Sequence, residues 1–502
     1  MGSVRRNIIA NYAGGLWSAL MSFAFVPLQV RYIGIEGYGL VGIYASMQVW
    51  FALLDMGIAP AVSREMARFG AGAHSARSIR ELFNSLELVY VCLAALLAAV
   101  VVAGSSWIAA HWLNAQSLPV ATVAETVGLI GCVAALRWIG AFYRGVLIGL
   151  QRQVWLSTFN SLFATLRGAA VVLVLAFISP TVQAFFIFQG LVGLLEISAL
   201  AIIGTRRNLP RVPEAARFSP AAVRQVWRFA GGMAIITIIS ILLTQVDKLV
   251  LSKFLPLSQF GYYMLAYTAA SVLHLMTTPV GNAAYPRLTE LVTARDTTQL
   301  AATYHGLSQT LTLVLVPITV VMALFPQHVL LLWTHDPVIT AAAAPLFSML
   351  LVGNMLNGLY FVPYNLQLAN GWTRFSIQVN LIALVVLVPV IYFGVRKVGP
   401  VAAAAAWVAL NASYIFVALP IMHRHLLPGE QWRWYREDVL GPAAAIVVAV
   451  LGVRWLTGPA DPAAPFAMIA TLGLAAAAAF AAAALTIPRA RFELRTRLGA
   501  KS

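Results

Sequence analysis

Five charged residues lie deep inside long apolar stretches of this chain: Arg137, Arg167, Glu196, Asp247 and Lys248. A charge at mid-membrane costs about 2.5–3.5 kcal/mol on insertion scales, so such residues face a cavity or a partner. Arginine is the side chain best suited to gripping phosphate bidentately, which makes Arg137 and Arg167 candidate anion ligands. Equally, they could pair with Glu196 or Glu125 and lock neighbouring helices together. Asp247 and Lys248 project about 100° apart if helical, so they are not expected simply to neutralise one another. One can face a cavity while the other meets a different helix, or Asp247 can form a buried salt bridge. Lys248 is grouped with the cavity cations.

Amides and aromatic rings form a second group. Asn354, Asn357 and Tyr364, with Tyr360, Asn365 and Gln367 nearby, occupy one apolar stretch. Offsets of three and ten residues put the first three on one broad helical face. Such groups suit sugar hydroxyls, and they also serve as interhelical glue. Asp55 and Arg64 flank Gly57 and Pro60 at the end of another stretch. There they fit a gate or an ordinary helix end with Arg64 snorkelling to the headgroups. Pro279, Pro317, Pro345, Pro363 and Pro389 cluster in the second half, where bent helices would act as hinges or as static kinks.

The elements that must hold these residues are membrane helices. Hydrophobic residues make up 61% of the 502 positions and charged residues 10%. A soluble chain of this size needs a far more charged surface. Apolar runs long enough to cross about 30 Å of hydrocarbon recur throughout, whereas a barrel would show short alternating segments. The expected fold is an all-α polytopic membrane protein of about fourteen transmembrane helices, the first covering Asn7 to Val30 rather than a cleaved signal. The net charge of +16 could point to nucleic acid. However, most Lys and Arg fall in alternate loops once both termini are placed in the cytoplasm, which is the positive-inside pattern of an inner-membrane protein. No nucleic-acid partner is expected. Cys92 and Cys132 read as small buried hydrophobes.

Gly37-Tyr38 recurs as Gly261-Tyr262, and Tyr143 recurs as Tyr364 at nearly the same offset. The spacing predicts two pseudo-symmetric six-helix lobes, 1–204 and 229–422, related by a parallel repeat. Between them, 205–228 reads as a cytoplasmic amphipathic linker whose helix starts at Ser219-Pro220. A cytoplasmic loop (423–439), an accessory helix pair (440–487) and a basic cytoplasmic tail (488–502) follow. No GxxxxGK[ST] loop, HExxH or paired CxxC motif occurs. Short external loops leave no room for the catalytic residues of a membrane glycosyltransferase, ligase or polymerase. The chain is therefore expected to be a transporter rather than an enzyme, with no bound cofactor.

Several motifs resemble one family. They are Ile9-Ala10-Asn11-Tyr12-Ala13-Gly14-Gly15, Tyr32-Ile33-Gly34-Ile35-Glu36-Gly37-Tyr38-Gly39, Leu54-Asp55-Met56-Gly57-Ile58 with Arg64-Glu65, Gln245-Val246-Asp247-Lys248 and Phe260-Gly261-Tyr262-Tyr263. Together they are similar to the polysaccharide transporter family, the Wzx-type flippases for O-antigen and exopolysaccharide. That family shares a superfamily with multidrug and toxin extrusion proteins and lipid II flippases. The resemblance covers the whole chain in topology, with its sharp motifs confined to spans 1–2 and 7–8. It implies a V-shaped pair of lobes around a cationic cavity open alternately to each face. It further implies flipping of undecaprenyl-pyrophosphate-linked oligosaccharide to the outer leaflet, with Arg137 and Arg167 on the pyrophosphate. Asp247 becomes the candidate for cation coupling (H+ or Na+) or gating, with Asp55 and Arg64 as further gate candidates. Partners would be the lipid-linked oligosaccharide, membrane lipids, and a polysaccharide polymerase and chain-length regulator. The rival within the superfamily is a cation-coupled multidrug exporter, whose cavity should be acidic. A membrane enzyme of polysaccharide assembly is the rival from another class.

Overall fold

The computed structural model describes residues 2–55, 57–210, 212, 218–457, 459, 461 and 463–491, and the side chains of all of these except 2–10, 222, 225 and 227–237. The chain is an all-α polytopic membrane protein: the described residues contain no strand, and eleven of their helices are long and apolar enough to cross a bilayer. It divides into two compact units, Met1–Gly261 and Tyr262–Ser502.

The first unit contains α1 (Gly2–Leu54), α2 (Ile58–Gly70), α3 (Ala76–Trp107), α4 (Val120–Gly149), α5 (Gln153–Phe177), α6 (Val182–Ala199) and α7 (Pro220–Phe254). α8 (Leu257–Ala270) crosses the division. The second unit continues with α9 (Val272–Ala294), α10 (Thr297–Leu324), α11 (Pro326–Thr334), α12 (Pro337–Leu359) and α13 (Phe361–Ala369). It ends with α14 (Thr373–Val398), α15 (Pro400–Ser413), α16 (Leu419–Leu426), α17 (Gln431–Arg433), α18 (Gly441–Leu456) and α19 (Pro465–Thr486). Wider π-helical turns extend α3, α6, α15 and α17 at Ile108–Trp112, Leu200–Arg206, Tyr414–Ala418 and Trp434–Leu440.

The first, second, seventh and eighth expected spans fall in four helices, α1, α7, α8 and α9. The first two are merged in α1, whose 53 residues would reach about 80 Å, well beyond one bilayer crossing. Gly34, at φ 72° and ψ 169°, breaks the helix between them. The seventh is α7, which begins at Pro220 as the Ser-Pro pair predicts and runs directly to Phe254. Arg211 and 213–217 of the expected linker lie outside the described residues, as do 492–502 of the expected basic tail. The eighth is divided at Ser271 between α8 and α9.

α2 extends to Gly70, past Arg64, and its buried stripe of Ile58, Ala61, Val62, Glu65 and Met66 turns inward. One further expectation is corrected. Cys92 and Cys132 are unpaired but exposed rather than buried, because their helix faces point out of the packed core. Among the prolines, Pro279, Pro317, Pro345 and Pro389 are carried inside helices. Only Pro363 follows a break, at Tyr360 between α12 and α13.

Two motifs of the sequence hold the first unit together. Glu36 accepts the backbone N–H groups of Gln116, Ser117 and Leu118 at 2.6, 2.8 and 3.0 Å, and the Ser117 hydroxyl donates to it as well. One buried carboxylate thereby satisfies three donors of the loop between α3 and α4. Gly39 and Gly261 permit a close backbone approach. A Cβ at Gly39 would lie 2.6 Å from the Leu257 carbonyl oxygen, and one at Gly261 would lie 2.2 Å from that of Ile35. Gly261 of the second Gly-Tyr pair and Gly39, just after the first pair, thus share one interlocked contact.

Candidate functional site

Arg137 and Arg144 both stand on α4, seven residues or about two turns apart, and so share a face. Arg167 approaches from α5 and Glu196 from α6. All four line a polar cavity of about 770 Å³ within the first unit. Nη2 of Arg144 donates to Oε1 of Glu196 at 2.7 Å, and Nη2 of Arg167 donates to Oε2 at 2.7 Å. Arg137 lies beside Tyr44 and within electrostatic reach of the same carboxylate. Gly140 makes room for this arrangement, since a Cβ there would come within 3.0 Å of Nη1 of Arg144.

Three arginines against one glutamate leave the charged lining positive. Glu196 is 4% exposed and has both oxygens occupied, so it fixes two guanidinium groups in place. A guanidinium has five N–H donors, and the donors left over can receive an anion. Structural pairing and ligand capture are therefore compatible here. The wall adds Asn11, Ser18, Ser22, Gln48 and Asn160, groups able to meet hydroxyls. Asn11 is itself braced, donating to Gln153 Oε1 at 3.0 Å and accepting from Ser157 Oγ at 2.7 Å.

The structure brings Arg137 and Arg167 together, and it adds Arg144, which the sequence reading passed over near a helix end. Its signal was the seven-residue spacing from Arg137. Lys248 and Asp247 do not line this cavity. Their expected separation is corrected: Lys248 Nζ folds back to both Asp247 oxygens at 3.2 Å and donates to the Thr244 carbonyl at 2.8 Å. The flexible lysine stem overcomes the 100° offset of the two positions. Both residues are buried.

Asp55 accepts the Tyr90 hydroxyl and, at 3.2 Å, the Ala59 backbone N–H in the first turn of α2. Gly57 between the two helices has φ 84°, a conformation that favours glycine. The Asp-x-Gly motif is thus built as a helix start. Arg64 is exposed on α2, and its neighbour Glu65 is buried against Arg68 at 3.1 Å and His74 at 2.8 Å.

In the second unit, Asn354 donates to the Ala270 carbonyl at 3.0 Å and accepts from Trp407 Nε1 at 2.9 Å. Asn357 donates to Asn411 Oδ1 at 2.8 Å. These contacts tie α12 to α8 and α15, so the amides act as interhelical links. Tyr364 stands on α13, one turn beyond Tyr360, to whose carbonyl its N–H donates at 3.0 Å.

Comparison with known proteins agrees with this architecture. Residues 4–292 match the family described as "Polysaccharide biosynthesis protein", and residues 232–393 match the family described as "MatE". A Shigella flexneri protein described as "Putative O-antigen transporter" is 20% identical over 405 residues, 81% of this chain and 94% of that protein. Among solved structures, the fold is similar to that of the lipid II flippase MurJ in an inward closed conformation. The TM-score is 0.70 at 11% identity, over 94% of this chain and 97% of that one. It is also similar to an inward-facing multidrug resistance MATE transporter, with a TM-score of 0.65 at 14% identity, over 82% of this chain and 94% of that one.

Proposed function

This chain belongs to the polysaccharide biosynthesis protein family, and from that premise we propose that it is a flippase for undecaprenyl-pyrophosphate-linked oligosaccharide. It would move that lipid from the inner to the outer leaflet of the inner membrane by alternating access, with both termini cytoplasmic, in O-antigen or exopolysaccharide assembly. The observation that carries this proposal is the convergence of Arg137, Arg144 and Arg167 on a single Glu196 in a polar cavity. A pyrophosphate offers acceptors for the N–H donors that these three guanidinium groups leave over. The adjoining amide and hydroxyl wall suits the first sugars. Similarity to an O-antigen transporter and to the MurJ fold supports the same class of cargo.

The MatE match over 232–393 favours a second reading, drug export. The cavity opposes it, because an excess of positive charge repels cationic drugs. Cation coupling through Asp247 and contacts with a polymerase and chain-length regulator belong to the proposal as well. The test is the sidedness of lipid-linked glycan in membrane vesicles from cells lacking this chain. Accumulation of completed glycan on the cytoplasmic leaflet, reversed by restoring the gene, is the expected result. Normal sidedness with a changed drug sensitivity would overturn it in favour of export.

A further inference from the structure

A second cavity, of about 470 Å³, lies in the second unit between α14 and the α15–α16 segment. Its walls are almost wholly apolar. Ile382, Val386 and Val390 come from α14, and Ala409, Val417 and Ile421 from the opposite side. Ile382 and Val386 remain exposed, as expected for a groove that opens toward lipid. α14 packs mainly along α15, so one flank is left uncovered. The π-helical turn at Tyr414–Ala418 matters to the shape. It offsets the usual drift of a four-residue repeat, and Ser413, Val417 and Ile421 continue one wall. From Phe375 to Val390 the groove follows α14 for about 22 Å, much of the depth of a bilayer core.

The Phe375 end has a different chemistry. Trp372 stacks on Phe375 at 4.4 Å and meets His425 at 5.0 Å, which joins the start of α14 to the end of α16. Arg374 and Arg424 are exposed beside these rings, and Arg424 stands three residues after Ile421, on the same side of α16. No acidic residue occurs in the sequence between Asp336 and Glu430. An aromatic and basic mouth above an apolar slot is the pattern for a phosphate headgroup over a hydrocarbon chain.

We propose that this groove seats one hydrocarbon chain of a resident anionic phospholipid, whose phosphate is held at the mouth by Arg374 and Arg424. The site is separate from the arginine cavity of the first unit and does not depend on the cargo assigned there.

Native mass spectrometry of the purified, delipidated full-length protein tests this. Phosphatidylglycerol and phosphatidylcholine with identical chains are titrated in parallel. The unaltered protein should retain one phosphatidylglycerol at concentrations where phosphatidylcholine is lost. Ala409→Trp and Val386→Trp, which fill the slot from opposite walls, should each abolish that retention. Val448→Trp, on the exposed surface of α18, should leave it unchanged and so controls for the added ring. Replacing Arg374 and Arg424 with Gln should lower the preference for phosphatidylglycerol about tenfold, or about 1.4 kcal/mol. Retention by either slot-filled variant at the original level would overturn the proposal. So would equal binding of the two lipids by the unaltered protein.

Discussion

Arg167 Nη2 donates to Oε2 of Glu196 at 2.7 Å, an ion pair that joins α5 to α6. Arg144 takes the other oxygen from α4, so one carboxylate fastens three helices. Breaking a buried pair leaves an uncompensated charge and typically costs about 3–5 kcal/mol. Glu196→Gln is expected to lower the thermal midpoint of the detergent-purified protein by several degrees. It should also strengthen binding of inorganic pyrophosphate, because a competing anion has been removed. An unchanged midpoint would show that the carboxylate does not fasten the helices.

Arg144→Gln separates ligand capture from packing. Glutamine keeps an N–H for Glu196 but lacks the charge and the planar fork. A charged hydrogen bond contributes about 1.5–3 kcal/mol, so glycan flipping should fall at least about tenfold in vesicles. Membrane levels should remain near those of the unaltered protein. Full transport in this variant would remove Arg144 from the proposed ligand set.

The sequence exposed Arg137, Arg167 and Glu196 because charge inside an apolar run is expensive wherever it occurs. Fold class was legible for the same reason, since long apolar runs leave few alternatives to membrane helices. The pairing of these charges was not legible, because it depends on which helix faces meet across separations of 29 and 52 residues. The Asp247–Lys248 contact escaped the helical-wheel argument, which fixes the direction of Cβ but not the path of a four-carbon stem. Most instructive is Glu36. Its place in a Gly-rich motif marked it by resemblance, yet its role as acceptor for three loop N–H groups lies 80 to 82 residues away.

That role of Glu36 gives a stability test. Glu36→Ala would leave the Gln116, Ser117 and Leu118 donors without this acceptor, at about 1–3 kcal/mol for each that stays buried and unpaired. The expected result is a lower melting temperature and less protein in the membrane, with flipping per molecule preserved in what remains. Glu36→Gln retains one acceptor oxygen and should fall between the two. Loss of flipping per molecule at normal abundance would instead place Glu36 in the transport step.

Gly57 and Asp55 should respond as parts of a helix start. Gly57→Ala forces a side chain into φ 84°, at a cost of about 1–2 kcal/mol. Asp55→Asn keeps one acceptor oxygen for the Ala59 N–H and offers an amide N–H that the Tyr90 hydroxyl oxygen can accept, and should be mild. Measured by thermal unfolding in detergent, Gly57→Ala is expected to be the more damaging of the two. The reverse order would return Asp55 to a functional role at the end of α1.

Asp247 offers the sharper contrast with Asp55. Its carboxylate lies within 3.2 Å of a buried ammonium, on a helix where water cannot readily replace a lost partner. Asp247→Asn preserves size and one acceptor oxygen while removing the charge that Lys248 folds back to meet. It is expected to impair flipping more than Asp55→Asn when both are compared at matched membrane levels. The double variant Asp247→Asn with Lys248→Gln removes both charges and should recover much of the abundance lost in the single variant, because neither charge is then stranded. A gating or coupling role predicts that this double variant stays impaired in flipping. Recovery of both abundance and flipping would mean that the pair serves packing alone. Equal impairment by Asp247→Asn and Asp55→Asn would likewise end the assignment of Asp247 to the gate.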